Sequence, residues 1–152
     1  MRFAMAILAL VLAIPVASAQ EPKQILDYTS AYRLSQSGNK PMLVLVTATW
    51  CAPCQQMKNN TLPTLLSKDS FKNVHFAMVD LDAEPDVANA LIGNRGVPQL
   101  VLFQKVEGSW VRSYVAGMQT PEGVEAFIAK ANQVHIANAT TGHEANSGTT
   151  SK

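Results

Sequence analysis

Only two cysteines occur in the 152 residues of this chain, and they stand three positions apart in Trp50-Cys51-Ala52-Pro53-Cys54. An apolar run, Met42-Leu43-Val44-Leu45-Val46, precedes them and reads as a fully buried strand; a helical pattern follows from near Pro53. The pair therefore marks a strand-to-helix junction, which commits this part of the chain to an α/β arrangement. Pro53 is cheap in a first helical turn, where its missing N–H would be unpaired anyway. Cys51 then lies at the helix N-terminus, where free amides and the helix dipole stabilise a thiolate. Cys54, one turn further in, is expected to be more buried. This asymmetry suits exchange in two steps: Cys51 attacks a disulfide and Cys54 resolves the mixed disulfide. The competing reading is a plain structural disulfide, but so short a loop gains little stability from chain entropy.

A second segment narrows the fold. Gly96-Val97-Pro98-Gln99-Leu100-Val101-Leu102-Phe103 is a proline opening an apolar strand. Together the two segments resemble the thioredoxin family, and the resemblance spans about residues 40–132. Asp80-Leu81-Asp82, Asn94-Arg95-Gly96 and Ala116-Gly117 fall where that family has similar features. The resemblance implies a redox-active Cys51–Cys54 pair needing no other cofactor, and a cis Val97–Pro98 bond packed against it. Cis is a minority state, roughly one X–Pro bond in twenty. It also implies a substrate groove formed by Trp50, Val97 and Pro98, with Val97 turning its backbone toward a substrate strand beside Cys51, and supporting places for Pro53 and Gly96. One departure stands out. The family usually has a buried aspartate six positions before the first cysteine and a buried lysine on the next central strand; here these are Leu45 and Met78. Losing both together leaves no orphan charge, but it removes the usual aid to deprotonating the resolving cysteine.

Residues 1–19 read as a secretory leader: Arg2, an apolar stretch from Ala4 to Val16, then Ala17-Ser18-Ala19. That stretch, broken by Pro15, falls short of the roughly 20 residues of a membrane span. The mature chain is expected to begin at Gln20 and to be periplasmic in a bacterium, secreted otherwise. The whole chain carries 12 basic and 11 acidic residues, and the leader takes one arginine and no acid. A neutral mature chain has no electrostatic footprint for nucleic acid or anionic membrane. It is long enough for one domain with its own core, so the cysteines need not serve as a staple. His75, His135 and His143 do not make a closed four-ligand set with the cysteines, and no metal is expected. Asn59-Asn60-Thr61 and Asn138-Ala139-Thr140 are glycosylation sequons only in a eukaryotic source.

Along the chain, Ile25 to Ser37 reads as a first helix with Ile25, Leu26, Tyr28, Tyr32 and Leu34 as apolar contacts. The helix after the cysteines carries Met57, Thr61, Leu62, Leu65 and Leu66, with Pro63 set to kink it. A strand follows over Val74–Leu81, then a helix over Glu84–Ile92 closed by Gly93. Leu100–Lys105 and Trp110–Val115 form a hairpin turned at Glu107-Gly108. A last helix is capped by Thr120 and has Val124, Phe127, Ile128 and Ala131 on its buried face. From Ile136 the chain is too polar to order itself. The expected architecture is a thioredoxin-like α/β sandwich over residues 20–135, with a mixed sheet of about four strands flanked by helices and without the family's first strand.

Two function classes fit. One is an exported thiol–disulfide oxidoreductase, acting as a monomer on protein thiols and disulfides. Ala52-Pro53, close to the Gly-Pro of reducing thioredoxins, leans toward a reductant, which in an oxidising compartment needs an electron donor such as a membrane thiol carrier. The other is a non-catalytic module that holds extended peptides at Val97-Pro98 with a static disulfide. The flanking tryptophan, the helix-terminal thiol and the proline favour the first.

Overall fold

The computed structural model describes residues 25–38, 40–130 and Gln133. The expected leader, the polar tail, His135, His143, Ala131 and the second sequon lie outside the described residues.

Five strands form one mixed sheet in the order β1-β3-β2-β4-β5. They are β1 (Ile25–Leu26), β2 (Met42–Thr47), β3 (His75–Asp80), β4 (Gln99–Val106) and β5 (Ser109–Ala116). The first three are mutually parallel, while β4 runs antiparallel to β2 and β5 to β4. Every residue of central β2 is buried, which is why it reads as an unbroken apolar run.

The helices cover both faces. Leu43, Leu45, Phe76, Leu100 and Leu102 point to one face and meet Met57, Leu62 and Leu65 from the helical stretch 52–67, with Val124 and Ile128 from the last helix. Met42, Val44, Val46, Ala77, Val79 and Val101 point to the other and meet α1 (Tyr28–Gly38) through Ala31 and α4 (Pro85–Ile92) through Ala88, Leu91 and Ile92. The strict period of two along β2 and β3 sorts the side chains between these faces.

Three details differ from the sequence reading. Ile25 and Leu26 form the edge strand β1, paired with Phe76 and Ala77, so the family's first strand is present in shortened form and the helix starts only at Tyr28. Asp27 caps that start, its carboxylate accepting from the Ser30 N–H at 2.8 Å. On α1 the buried residues are Ala31 and Ser35, while Tyr32 and Leu34 are exposed; small side chains let the helix lie close to the sheet. The cysteine helix is not uniform either: α2 (Ala52–Gln56) passes through a π-helical turn (Met57–Thr61) into α3 (Leu62–Ser67). Pro63 lacks the N–H that would bond back four residues, and the wider turn just before it absorbs the mismatch without breaking the rod.

The hairpin turn follows expectation. Glu107 and Gly108 both have positive φ, 49° and 82°, the geometry of a two-residue turn matched to strand twist. Thr120 caps the last helix, accepting the Gly123 N–H at 3.2 Å.

Candidate active site

The two cysteines lie where β2 ends and α2 begins. Cys51 is the N-cap of α2, with extended backbone at φ −87° and ψ 102°, and its Sγ accepts the Cys54 N–H at 3.2 Å. The first-turn amide therefore points at the sulfur that would carry charge. Cys51 and Cys54 are joined in a disulfide, with Cα atoms 5.2 Å apart. Their difference in exposure is narrower than the sequence reading expected, 4% for Cys51 against 0% for Cys54. Both cysteines are buried in the disulfide-bonded form, and the asymmetry lies in position, cap against interior turn. Pro53 sits in the first turn, as expected.

The second segment arrives beside them. The Val97–Pro98 peptide bond is cis, and Val97 packs on the cluster of Ala48, Cys51 and Cys54 together with Leu81. The Pro98 carbonyl accepts the Gly117 N–H at 2.8 Å. Gly117 holds φ +83°, a conformation that costs a side-chain-bearing residue. Gly96 stands two residues ahead of Pro98 with open space around its Cα. The Arg95 guanidinium lies 3.6 Å over the Tyr114 ring and braces this loop against β5.

Trp50 is 68% exposed beside the disulfide, so it is a surface platform and not core. What holds it went unread in the sequence. Asp82 accepts the Trp50 indole N–H at 3.1 Å on one oxygen, and the Thr49 N–H and hydroxyl at 2.9 and 2.6 Å on the other. These bonds, led by those from Thr49, hold the Asp82 carboxyl below its usual range. Asp80 forms a second node at the end of β3. Its carboxylate meets Lys58 Nζ at 3.7 Å, the Thr47 hydroxyl at 3.5 Å and the Asp82 N–H at 3.0 Å. Two carboxylates flanking Leu81 at a strand end were the signal available for both nodes. Leu45 and Met78 face each other in register, apolar, as the sequence implied.

His75, the one histidine among the described residues, sits at the start of β3. Its backbone N–H donates to the Pro41 carbonyl, and burial with nearby Lys40 lowers the imidazole pKa. No group of metal-ligating side chains occurs among the described residues, and no helix among them is long and apolar enough to cross a membrane.

The thioredoxin family model matches residues 26–130. This chain belongs to the thioredoxin family. The match starts earlier than residue 40 because it takes in the edge of β1 and all of α1. Among curated relatives, the thioredoxin Asp f 29 of Aspergillus fumigatus is 32% identical over 102 residues, covering 67% of this chain and 84% of that protein. The solution structure of a thioredoxin from Thermus thermophilus matches in fold, with TM-score 0.60 over 84% of this chain and 98% of that one at 19% identity. The oxidised mitochondrial thioredoxin 3 of Saccharomyces cerevisiae matches at TM-score 0.53 and 25% identity, over 70% of this chain and 93% of that one. This thioredoxin-family chain, with its cysteine pair at a helix cap, is a thiol–disulfide oxidoreductase.

Proposed function

We propose that the chain is an exported protein-disulfide reductase, periplasmic in a bacterium and secreted otherwise, with Cys51 as nucleophile and Cys54 as resolving thiol. The carrying observation is the Cys51 cap: its sulfur receives the Cys54 N–H at the positive end of the helix. In the reduced protein the Cys51 thiolate attacks a substrate disulfide; one substrate sulfur leaves and takes a proton. Cys54, deprotonated, then attacks Cys51 Sγ. The second substrate sulfur leaves, and two electrons have passed to the substrate as the Cys51–Cys54 bond forms. Val97, which packs on the cysteines, would receive an extended substrate segment together with Trp50 and Pro98, with Pro53 and Gly96 shaping the two loops. The leader-like residues 1–19 support export, and Ala52-Pro53 supports the reducing direction. A reductant in an oxidising compartment needs a donor, for which a membrane thiol carrier is the fitting class.

The test is a trap. Cys54→Ser should accumulate mixed disulfides on Cys51 that mass spectrometry of exported fractions identifies as protein partners, while wild type reduces insulin and Cys51→Ser loses that activity by a thousandfold or more. Inert thiols after mild reduction, with no trapped partner, would support the peptide-holding module instead.

A further inference from the structure

A buried thiol poses a problem that the cap does not solve. The attacking species in resolution must be a thiolate, yet Cys54 is fully buried, and burial disfavours its charged form. The first-turn amide of Cys54 serves the Cys51 sulfur, not its own. The residues packed on the cysteines, Ala48, Leu81 and Val97, are apolar, and the strand positions beneath the helix, Leu45 and Met78, offer no base.

The next register pair along those strands does. Leu45 pairs with Met78, and two residues on, toward the cysteine end of the sheet, Thr47 pairs with Asp80 on the same face. Lys58 reaches this carboxylate from the cysteine helix and lies four residues, about one turn, beyond Cys54. The charged groups gathered here are therefore Lys58 from the helix, Asp80 from β3 and Asp82 from the turn after it. Asp82 is committed, with three donors from Thr49 and Trp50. Asp80 has Thr47 and Lys58 on Oδ2 and the Asp82 N–H on Oδ1; a carboxylate has about four acceptor sites, which leaves room for another donor. Its side chain is one quarter exposed, so solvent reaches it.

We propose that Asp80, held by Lys58 and Thr47 at the end of β3, accepts the proton that Cys54 sheds during resolution, across one solvent molecule. The step balances: the Cys54 proton passes to the Asp80 carboxylate through that water, the Cys54 thiolate attacks Cys51 Sγ, the Cys51–substrate S–S bond breaks, and the departing substrate thiolate leaves Asp80 to return its proton to solvent. Relay through one water is within the reach of a general base. Asp80 is thus a positioned base and Lys58 its anchor. The inference rests on the exchange reading above.

An aryl disulfide whose thiolate absorbs visible light separates the steps. Added to reduced protein, it releases one thiolate as Cys51 attacks and a second as Cys54 resolves. In wild type the second phase should vary little between pH 6 and 8. In Asp80→Asn it should be at least tenfold slower at pH 7 and climb about tenfold per pH unit toward the ordinary thiol range near 8.5, while the first phase keeps its rate. Asp80→Glu should restore the wild-type slope, and Lys58→Met should slow the second phase with Asp80 intact. A second phase in Asp80→Asn with wild-type rate and slope overturns the inference and leaves the exchange reading standing; so does a slowing of both phases equally with an unchanged slope, the mark of a purely structural role. If Asp80→Asn does not fold, the Lys58→Met and Asp80→Glu profiles decide, and an unaltered Lys58→Met profile overturns the inference. Absence of either phase in wild type sinks the exchange reading itself.

Discussion

The two faces of the sheet are built from the same strands but differ in what they support. Under α1 and α4 the packing has no fully buried aromatic ring among the described residues: Ala31 and Ala88 meet Val44, Val46 and Val79, with Met42, Leu91 and Ile92 around them. Under the cysteine helix it is larger, with Phe71 and Phe76 stacked at 4.2 Å between centroids, Met57 and four leucines from the strands. One face holds helices close; the other carries a helix with a wide π-helical turn one step beyond a reactive cap. A core therefore does not by itself position a site. The active-site face positions it because its covering helix begins at the sulfurs.

That contrast can be broken by truncating one residue on each face. Met57→Ala and Leu91→Ala, both at buried sites, should each cost about 2–5 kcal/mol in denaturant unfolding. Only Met57→Ala should also alter the exchange rate under conditions where both variants are folded. Equal kinetic effects would show that the faces are not functionally distinct. A smaller effect concerns the rim. The Asp82 carboxyl is held low, so its contribution is complete above the ordinary carboxylate range and is lost as pH falls through the lowered value. In a Trp110→Phe background, Trp50 emission should change in that acid window, and Asp82→Asn should abolish the transition while exchange at pH 7 falls severalfold through a looser Trp50. The smallest expected effect lies at the opposite end of the sheet. His75 is lowered, so the unfolded chain takes up its proton first and stability declines as pH falls from about 6.5 toward the folded value. His75→Asn should flatten that slope in thermal melts without affecting exchange at any pH.

Much of this was legible in sequence because it was local. The buried strand, the proline in a first turn, the Glu107-Gly108 turn and the Thr120 cap each declare themselves within a few residues. Strand β1 did not, since two residues carry no period and pair only because Phe76 and Ala77 lie alongside. On α1 the tyrosines drew attention to the wrong face: a helix close to a sheet buries its small residues, so Ala31 and Ser35 turned inward. Cys51, Cys54 and Val97 lie together and the Val97–Pro98 bond is cis, as the motif implied. The Lys58–Asp80 pair was hidden, because two residues 22 positions apart are joined only through the strand register, and neither residue is unusual alone.

The sheet also ends very differently on its two sides. An unpaired strand edge offers a row of backbone donors and acceptors on which another chain can build. At β1 that row is two residues long, too short to seed an added strand. At β5 it is eight residues long, but five of its eight side chains are exposed, Val111, Arg112 and Tyr114 among them, with a cation in the middle. A strand added there would come up beside exposed Val111 and Tyr114 and would also meet Arg112, which already reaches across to the Ala90 carbonyl. The two margins thus guard against edge pairing by different means: one is too brief to template a strand, and the other is long but interrupted by a charge.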